Sequence, residues 1–200
     1  SPSTVGVSKE RPQHTVTLSG FYISTTELTR DLFFPFLQSK DTCYLASNQK
    51  KIKDYSSFFG IETEVQPIVN VSWFTAVAYC NWLTKATGSI DTCYTFTFKQ
   101  DGTIDGVSFD RTKHGYRLPT EAEWEYVARA GSTGNWFYGE QETDACLYGN
   151  IADLGLSYGM GTVRTDCDDH APRSAPVALG TPSDAPLPPQ GFPSATSLAP

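Results

Sequence analysis

Gly115-Tyr-Arg-Leu-Pro-Thr-Glu-Ala-Glu-Trp-Glu-Tyr-Val-Ala-Arg-Ala-Gly131 is the most strongly patterned stretch of the chain. Thr120 and Glu123 stand at capping-box spacing. The hydroxyl accepts from the amide three residues on, and that residue's carboxylate accepts from the N-cap amide. Pro119 keeps the residue before it out of helical conformation. Glu121 and Glu123 lie in the first turn, where carboxylates meet the positive end of the helix dipole. Gly131 supplies the stop. A helix is predicted between Thr120 and Gly131, with Trp124, Val127 and Ala128 as its inner stripe.

Working towards the N-terminus, Cys93 to Phe98 alternates strongly, Gln100 to Thr103 reads as a turn, and Ile104 to Phe109 as the returning strand of a hairpin. Ser72 caps a second helix, ended by Gly88, whose apolar positions Trp73, Ala76, Val77, Cys80 and Leu83 recur on one face. Pro67 to Val71 is a short extended apolar run. Lys40 to Gln66 has little periodicity and reads as a long surface loop. Before it, Thr29 caps a helix that buries Leu32, Phe33 and Phe36 and contains Pro35, which should bend or shorten it. His14 to Ser24 alternates and reads as two short strand pieces with a bend at Gly20. Towards the C-terminus, Trp136, Phe137 and Tyr138 suit core packing better than a binding wall. Seven carboxylates then fall between Glu140 and Asp169, against Arg164 alone. The sum is an α+β domain with high loop content, two or three helices and short antiparallel strands.

The chain has 200 residues and a formal net charge of −7. That balance argues against nucleic acid, whose binding is driven by Lys and Arg, and favours cations. No stretch approaches the ~18 apolar residues of a membrane span. Eight of the 13 prolines lie between Pro172 and Pro200. Residues 178–200 therefore read as a Pro/Ala/Ser-rich, disordered tail, residues 1–12 as an N-terminal extension and residues 13–177 as the folded domain. Ser1 in place of Met points to a processed start or a fragment, so no targeting sequence is available to read. Of the five cysteines, Cys80 sits in the apolar stripe and should simply pack there. Cys146 and Cys167 flank the acidic segment and could pair.

The block from Gly115 to Gly131 resembles the signature of the sulfatase-modifying-factor, or formylglycine-generating-enzyme, superfamily. The resemblance extends to His14–Thr29, to Pro67–Leu83, to Tyr148-Gly-Asn-Ile151 and to Ser174-Ala-Pro-Val177, in the expected order. It implies a C-type-lectin-like fold. The family includes copper-dependent oxidases that convert a sulfatase cysteine to formylglycine, and ligand-binding variable proteins. No position in this sequence matches the paired copper cysteines of the enzymes, and residues 178–200 stand where the family usually continues with further motifs.

The resemblance also implies a calcium site at Asn150 and Ile151, completed by Asp169 and the backbone of Ala171. Calcium prefers hard oxygen ligands of this kind. The carboxylates from Glu121 to Glu125 read as capping groups, not catalysts. His14, His114 and His170 are scattered and lack metal-ligand spacing. No nucleophile motif is present. The expected function is a non-catalytic ligand-binding or structural domain on this scaffold, bacterial and extracytoplasmic or surface-displayed, with calcium as cofactor and an unknown protein or small-molecule partner. The alternative is a fragment of a formylglycine-generating oxidase, in which case copper enters.

Overall fold

The structure, a computed structural model, describes residues 14–39, 65–101, 104–151, 167–168, 175 and 177. The chain divides into two compact units, Glu27–Leu118 and the combination of Ser1–Thr26 with Pro119–Pro200. Most of the expected Lys40–Gln66 loop and the expected tail lie outside the described residues.

In the Glu27–Leu118 unit, α1 spans Arg30–Gln38 and α2 spans Trp73–Ala86, and both begin where the hydroxyl residues place them. Ser72 accepts from the Thr75 amide at 3.2 Å, a working N-cap. Thr29 occupies the N-cap position of α1 but makes no such bond. Its hydroxyl donates to the Asp31 carboxylate. α1 buries Phe33 and Phe36, while Leu32 is 57 % exposed. The expected inner position for Leu32 is thus corrected. Thr29, Phe33 and Phe36 form the inward line, and one 100° step carries Leu32 off it.

Phe33, Phe36, Ala78 and Tyr79 make one core cluster, with Trp82, Leu37 and Ile68 packed against it. The Phe36 ring lies 5.2 Å from Phe33, 5.5 Å from Tyr79 and 5.7 Å from Trp82. α2 is buried along a second line as well. Val77 and Cys80 join Cys93 and Tyr94 in another cluster. Two buried lines on one helix make its apolar surface wider than a single stripe, and Trp73 at its start is half exposed, correcting its expected burial.

The hairpin forms as read. β1 (Tyr94–Phe98) pairs antiparallel with β2 (Ile104–Phe109), from Tyr94 opposite Phe109 to Phe98 opposite Ile104, with an irregularity after Thr97. Asn81 of α2 fixes this ribbon, donating to the Tyr94 carbonyl at 2.7 Å and accepting from its amide at 3.2 Å. The signature block begins here. A Cβ on Gly115 would stand 2.4 Å from the Asp91 carbonyl and 2.8 Å from the Thr84 hydroxyl, so only glycine fits. Thr84 also accepts from the Tyr116 amide at 2.8 Å, and Asp91 from the His114 amide at 2.7 Å.

In the other unit, α3 spans Glu121–Arg129 with the full capping box. The Thr120 amide donates to Glu123 at 2.8 Å and the Glu123 amide to Thr120 at 3.3 Å. Ala130 and Gly131 both take left-handed conformations and end the helix. The expected inner stripe is corrected. Trp124 is 62 % exposed and Val127 is exposed as well, whereas Ala128, with Ala122 and Arg129, is half buried. Glu123 is the buried residue, turned in by its own cap. Residues 14–24 also depart from expectation. They form no strand ladder, although Phe21 and Ile23 face inward and Tyr22 outward. Alternation sets the faces of an extended segment, but a strand also requires a hydrogen-bonding partner. Phe21 meets Tyr126 edge-on at 6.4 Å.

The remaining elements are a 3-10 turn, Glu142–Asp144, running directly into the single-turn helix α4, Ala145–Tyr148. No helix among the described residues is long and apolar enough to cross a membrane.

Candidate functional site

The residues that follow α3 build a compact loop. Arg129, at the C-terminal end of that helix, donates from Nε to Glu125 at 2.8 Å and from Nη1 to the Gly134 carbonyl at 3.0 Å. Glu140 accepts from the Asn135 amide at 3.1 Å and from Asn135 Nδ2 at 2.8 Å. A Cβ on Gly134 would stand 2.6 Å from Glu140 Oε1, so a larger residue there would make that carboxylate shift. Trp136 and Gly139 close the turn with two backbone bonds of 3.3 Å. Glu140, read from the sequence as part of an acidic surplus, is thus committed to holding this loop. Buried Ser132 Oγ and Asn135 Oδ1 find no protein partner here.

Three rings stack above the turn. Tyr138 lies parallel to Trp136 at 6.0 Å and to Tyr148 at 5.2 Å, each within 4°. Phe137 meets Tyr138 and Tyr148 edge-on at 5.1 and 5.8 Å. Such parallel and edge-on pairs contribute beyond their buried area, about 0.5–1.5 kcal/mol each. Tyr148 was visible in the sequence only as a landmark. Its part in the stack depends on α4 folding back onto the turn, which no local spacing announces.

The stack braces the last residue of α4. Gly149 follows in an extended conformation, its amide returning to the Ala145 carbonyl at 3.0 Å. Asn150, exposed, and Ile151, half buried, come next. Cys146 within α4 is bonded to Cys167, with Cα atoms 6.1 Å apart. The pairing left open by the sequence therefore forms, and it ties Asp168 covalently to the element that carries Asn150. Asp169 and Ala171, the other two expected calcium ligands, lie outside the described residues, as does His170.

The donors that can be placed are the Asn150 amide oxygen and the Ile151 carbonyl, with the exposed Asp168 carboxylate on the tied arm. These are hard oxygens, suited to calcium rather than to a softer metal. Among the described residues no group of three or more His, Cys, Asp and Glu side chains could hold a metal.

In the Glu27–Leu118 unit, Cys80 and Cys93 are free thiols, and both are buried. Burial pushes the Cys80 thiol up to about 12, with Cys93 nearby adding to the rise. Burial raises Cys93 as well, and its Sγ donates to the Gly115 carbonyl at 3.2 Å. A thiol so disposed is a packing group, not a nucleophile.

Residues 2–180 match the sulfatase-modifying factor enzyme 1-like domain. A formylglycine-generating enzyme of Mycobacterium tuberculosis is 30 % identical over 70 % of this chain and 51 % of its own length. The chaperone protein LppX of Paenibacillus barcinonensis is 28 % identical over 61 % of this chain and 40 % of its own. Among solved structures, variable protein 1 of Treponema denticola aligns over 70 % of this chain and 51 % of its own, at 22 % identity and a TM-score of 0.46. The chain thus spans about half or less of the length of these relatives. With the signature block, the capping box and the hairpin in place, the match over nearly the whole sequence assigns the chain to the sulfatase-modifying factor enzyme 1-like family, on an α+β fold.

Proposed function

We propose that this chain is a non-catalytic ligand-binding or structural domain on the formylglycine-generating-enzyme scaffold, of the C-type-lectin-like type, braced by calcium at Asn150 and Ile151. The observation that carries the non-catalytic reading is the state of its thiols. All four described cysteines are committed, Cys80 and Cys93 to the core and Cys146 with Cys167 to a disulfide. Oxidation of a sulfatase cysteine by the family's copper route needs a reactive cysteine pair, and none of these four is disposed to serve. The disulfide also supports an extracytoplasmic or surface location, since such bonds persist in oxidising compartments. The printed names of its relatives, a chaperone protein and a formylglycine-generating enzyme, are consistent with one scaffold serving different roles.

Incubation with copper, oxygen and a Cys-x-Pro-x-Arg peptide should leave the peptide cysteine unchanged by mass spectrometry. Formylglycine in the product would defeat this reading. It would favour the second one, a piece of a formylglycine-generating oxidase, for which the 30 % identity to the mycobacterial enzyme speaks. For calcium, a site present only in the folded state stabilises it by about 2.7 kcal/mol at a hundredfold excess over Kd. The melting temperature should therefore rise in millimolar calcium and fall back in chelator, and Asp169→Asn should blunt the rise. An unchanged midpoint removes the calcium site.

A further inference from the structure

We infer that Asn70 is an N-glycosylation site, the acceptor of an oligosaccharide delivered from a polyprenyl pyrophosphate. The inference rests on the extracytoplasmic reading above. Asn70-Val71-Ser72 is the one Asn-x-Ser/Thr triplet among the five asparagines of the sequence, and its middle residue is not proline. Such a triplet is the acceptor pattern of surface loops in exported proteins. Two observations fit that setting. Ile68 and Val71 pack against the Phe33 and Phe36 cluster, and Val69 and Asn70 between them are exposed. The Asn70 side chain makes no hydrogen bond among the described residues, so its amide nitrogen carries no structural duty. The Cys146–Cys167 bond, for its part, belongs to the oxidising compartments through which exported chains pass.

The same residues decide when the sugar is added. In the folded chain the Ser72 hydroxyl caps α2, accepting from the Thr75 amide at 3.2 Å and lying 2.8 Å from the Thr75 hydroxyl. Asn70 stands in left-handed backbone, at a φ of 59°, a region asparagine enters more readily than most residues. The Ile68 amide donates to the Leu28 carbonyl at 2.8 Å and pins this elbow from its other side. A transferase must take the amide and the hydroxyl of the triplet together, and here the hydroxyl is engaged and the backbone bent. Transfer therefore precedes the closing of the elbow, during export, and the exposed Asn70 then holds the sugar in solvent. The step balances. Asn70 Nδ2 bonds to the anomeric carbon of the first sugar as the bond from that carbon to the pyrophosphate oxygen breaks. Polyprenyl pyrophosphate leaves with the electron pair, and one amide proton passes to a base of the transferase.

Secretion of the full chain from a eukaryotic host, behind a cleavable leader, is the test. The expected result is a protein heavier by one glycan. Peptide N-glycosidase should remove the excess and leave an aspartate in place of Asn70, read by peptide mass. Asn70→Asp, which also suits left-handed backbone, and Ser72→Asp, which keeps an N-cap, should lose the glycan and still fold. Ser72→Thr keeps both cap and triplet and should retain it. Folded, secreted wild type with the Cys146–Cys167 bond formed and no sugar overturns the inference and leaves the extracytoplasmic reading standing. A chain that folds only with that bond reduced overturns both. Sugar that persists in Asn70→Asp overturns the assignment to this triplet. A second measurement needs no variant. Purified transferase with its lipid-linked donor should glycosylate a peptide of residues 66–76 and leave the folded, sugar-free protein unchanged. Equal transfer to both overturns transfer ahead of folding.

Discussion

Truncating Phe36 tests the register of α1, the point at which periodicity and structure disagree. Phe36 is fully buried, and its ring meets Phe33, Tyr79 and Trp82 at 5.2, 5.5 and 5.7 Å. A buried Phe→Ala change costs about 3–5 kcal/mol through lost transfer energy and the cavity left behind. Three ring partners place Phe36 in the upper half of that range, since each aromatic pair adds about 0.5–1.5 kcal/mol beyond area. The expected loss is therefore about 4 kcal/mol, a large share of the ~5–15 kcal/mol that holds an ordinary domain together. Phe36→Leu keeps most of the volume and should cost about 1.5 kcal/mol. Leu32, 57 % exposed one turn earlier on the same helix, is the control, and Leu32→Ala should stay within about 0.5 kcal/mol. Urea titration followed by tryptophan fluorescence reads the difference, because Trp82 packs against the cluster. With a slope of about 2 kcal/mol/M, Phe36→Ala should move the midpoint down by about 2 M and Leu32→Ala by about 0.25 M at most. If Leu32→Ala costs as much as Phe36→Ala, the inward line through Thr29, Phe33 and Phe36 is wrong.

Thr120→Ala should lose about 1 kcal/mol and Thr120→Ser almost nothing, since only the hydroxyl's acceptor role on the Glu123 amide is at stake; thermal melts of the two decide it. Gly115→Ala should cost about 1–3 kcal/mol, because its Cβ would stand 2.4 Å from the Asp91 carbonyl, and a stability equal to wild type would show that this approach is not held. Alkaline pH should weaken the fold. Burial raises Cys80 from 9.0 and Tyr79 from 10.0, each to about 12, so the unfolded chain ionises first and stability present below pH 9 is lost as pH rises towards 12. Midpoints in urea at pH 8 and pH 11 check the sign, and at pH 8 Cys80 should resist a thiol reagent until the chain unfolds.

Local chemistry was the legible part. The capping box at Thr120 and Glu123, the Ser72 cap, the left-handed stops at Gly88 and Gly131 and the β1–β2 hairpin follow from residues within a few positions of one another. Each rests on short-range sterics or a single hydrogen bond, which needs no distant partner. The same holds for the order of motifs that assigns the family. The candidate site was legible in outline, through Asn150 and Ile151 at the landmark after Tyr148. Its scaffold was not. Glu140 read as surplus charge, and Tyr148 gave no sign of its stack with Tyr138.

What the sequence determined by itself is where elements start and stop, and what kind they are. The tertiary structure decided which side of them is covered and what they are joined to. Periodicity marks an apolar stripe but is blind to the body that meets it, so Leu32 and Trp124 turn outward while Thr29 and Glu123 turn in. Alternation marks faces but supplies no partner strand, so residues 14–24 form no ladder. Cys146 and Cys167 pair because folding brings their Cα atoms to 6.1 Å, a distance 21 positions of sequence do not contain. Burial, pairing and cross-linking are relations between remote segments, and only a chain that has closed on itself settles them.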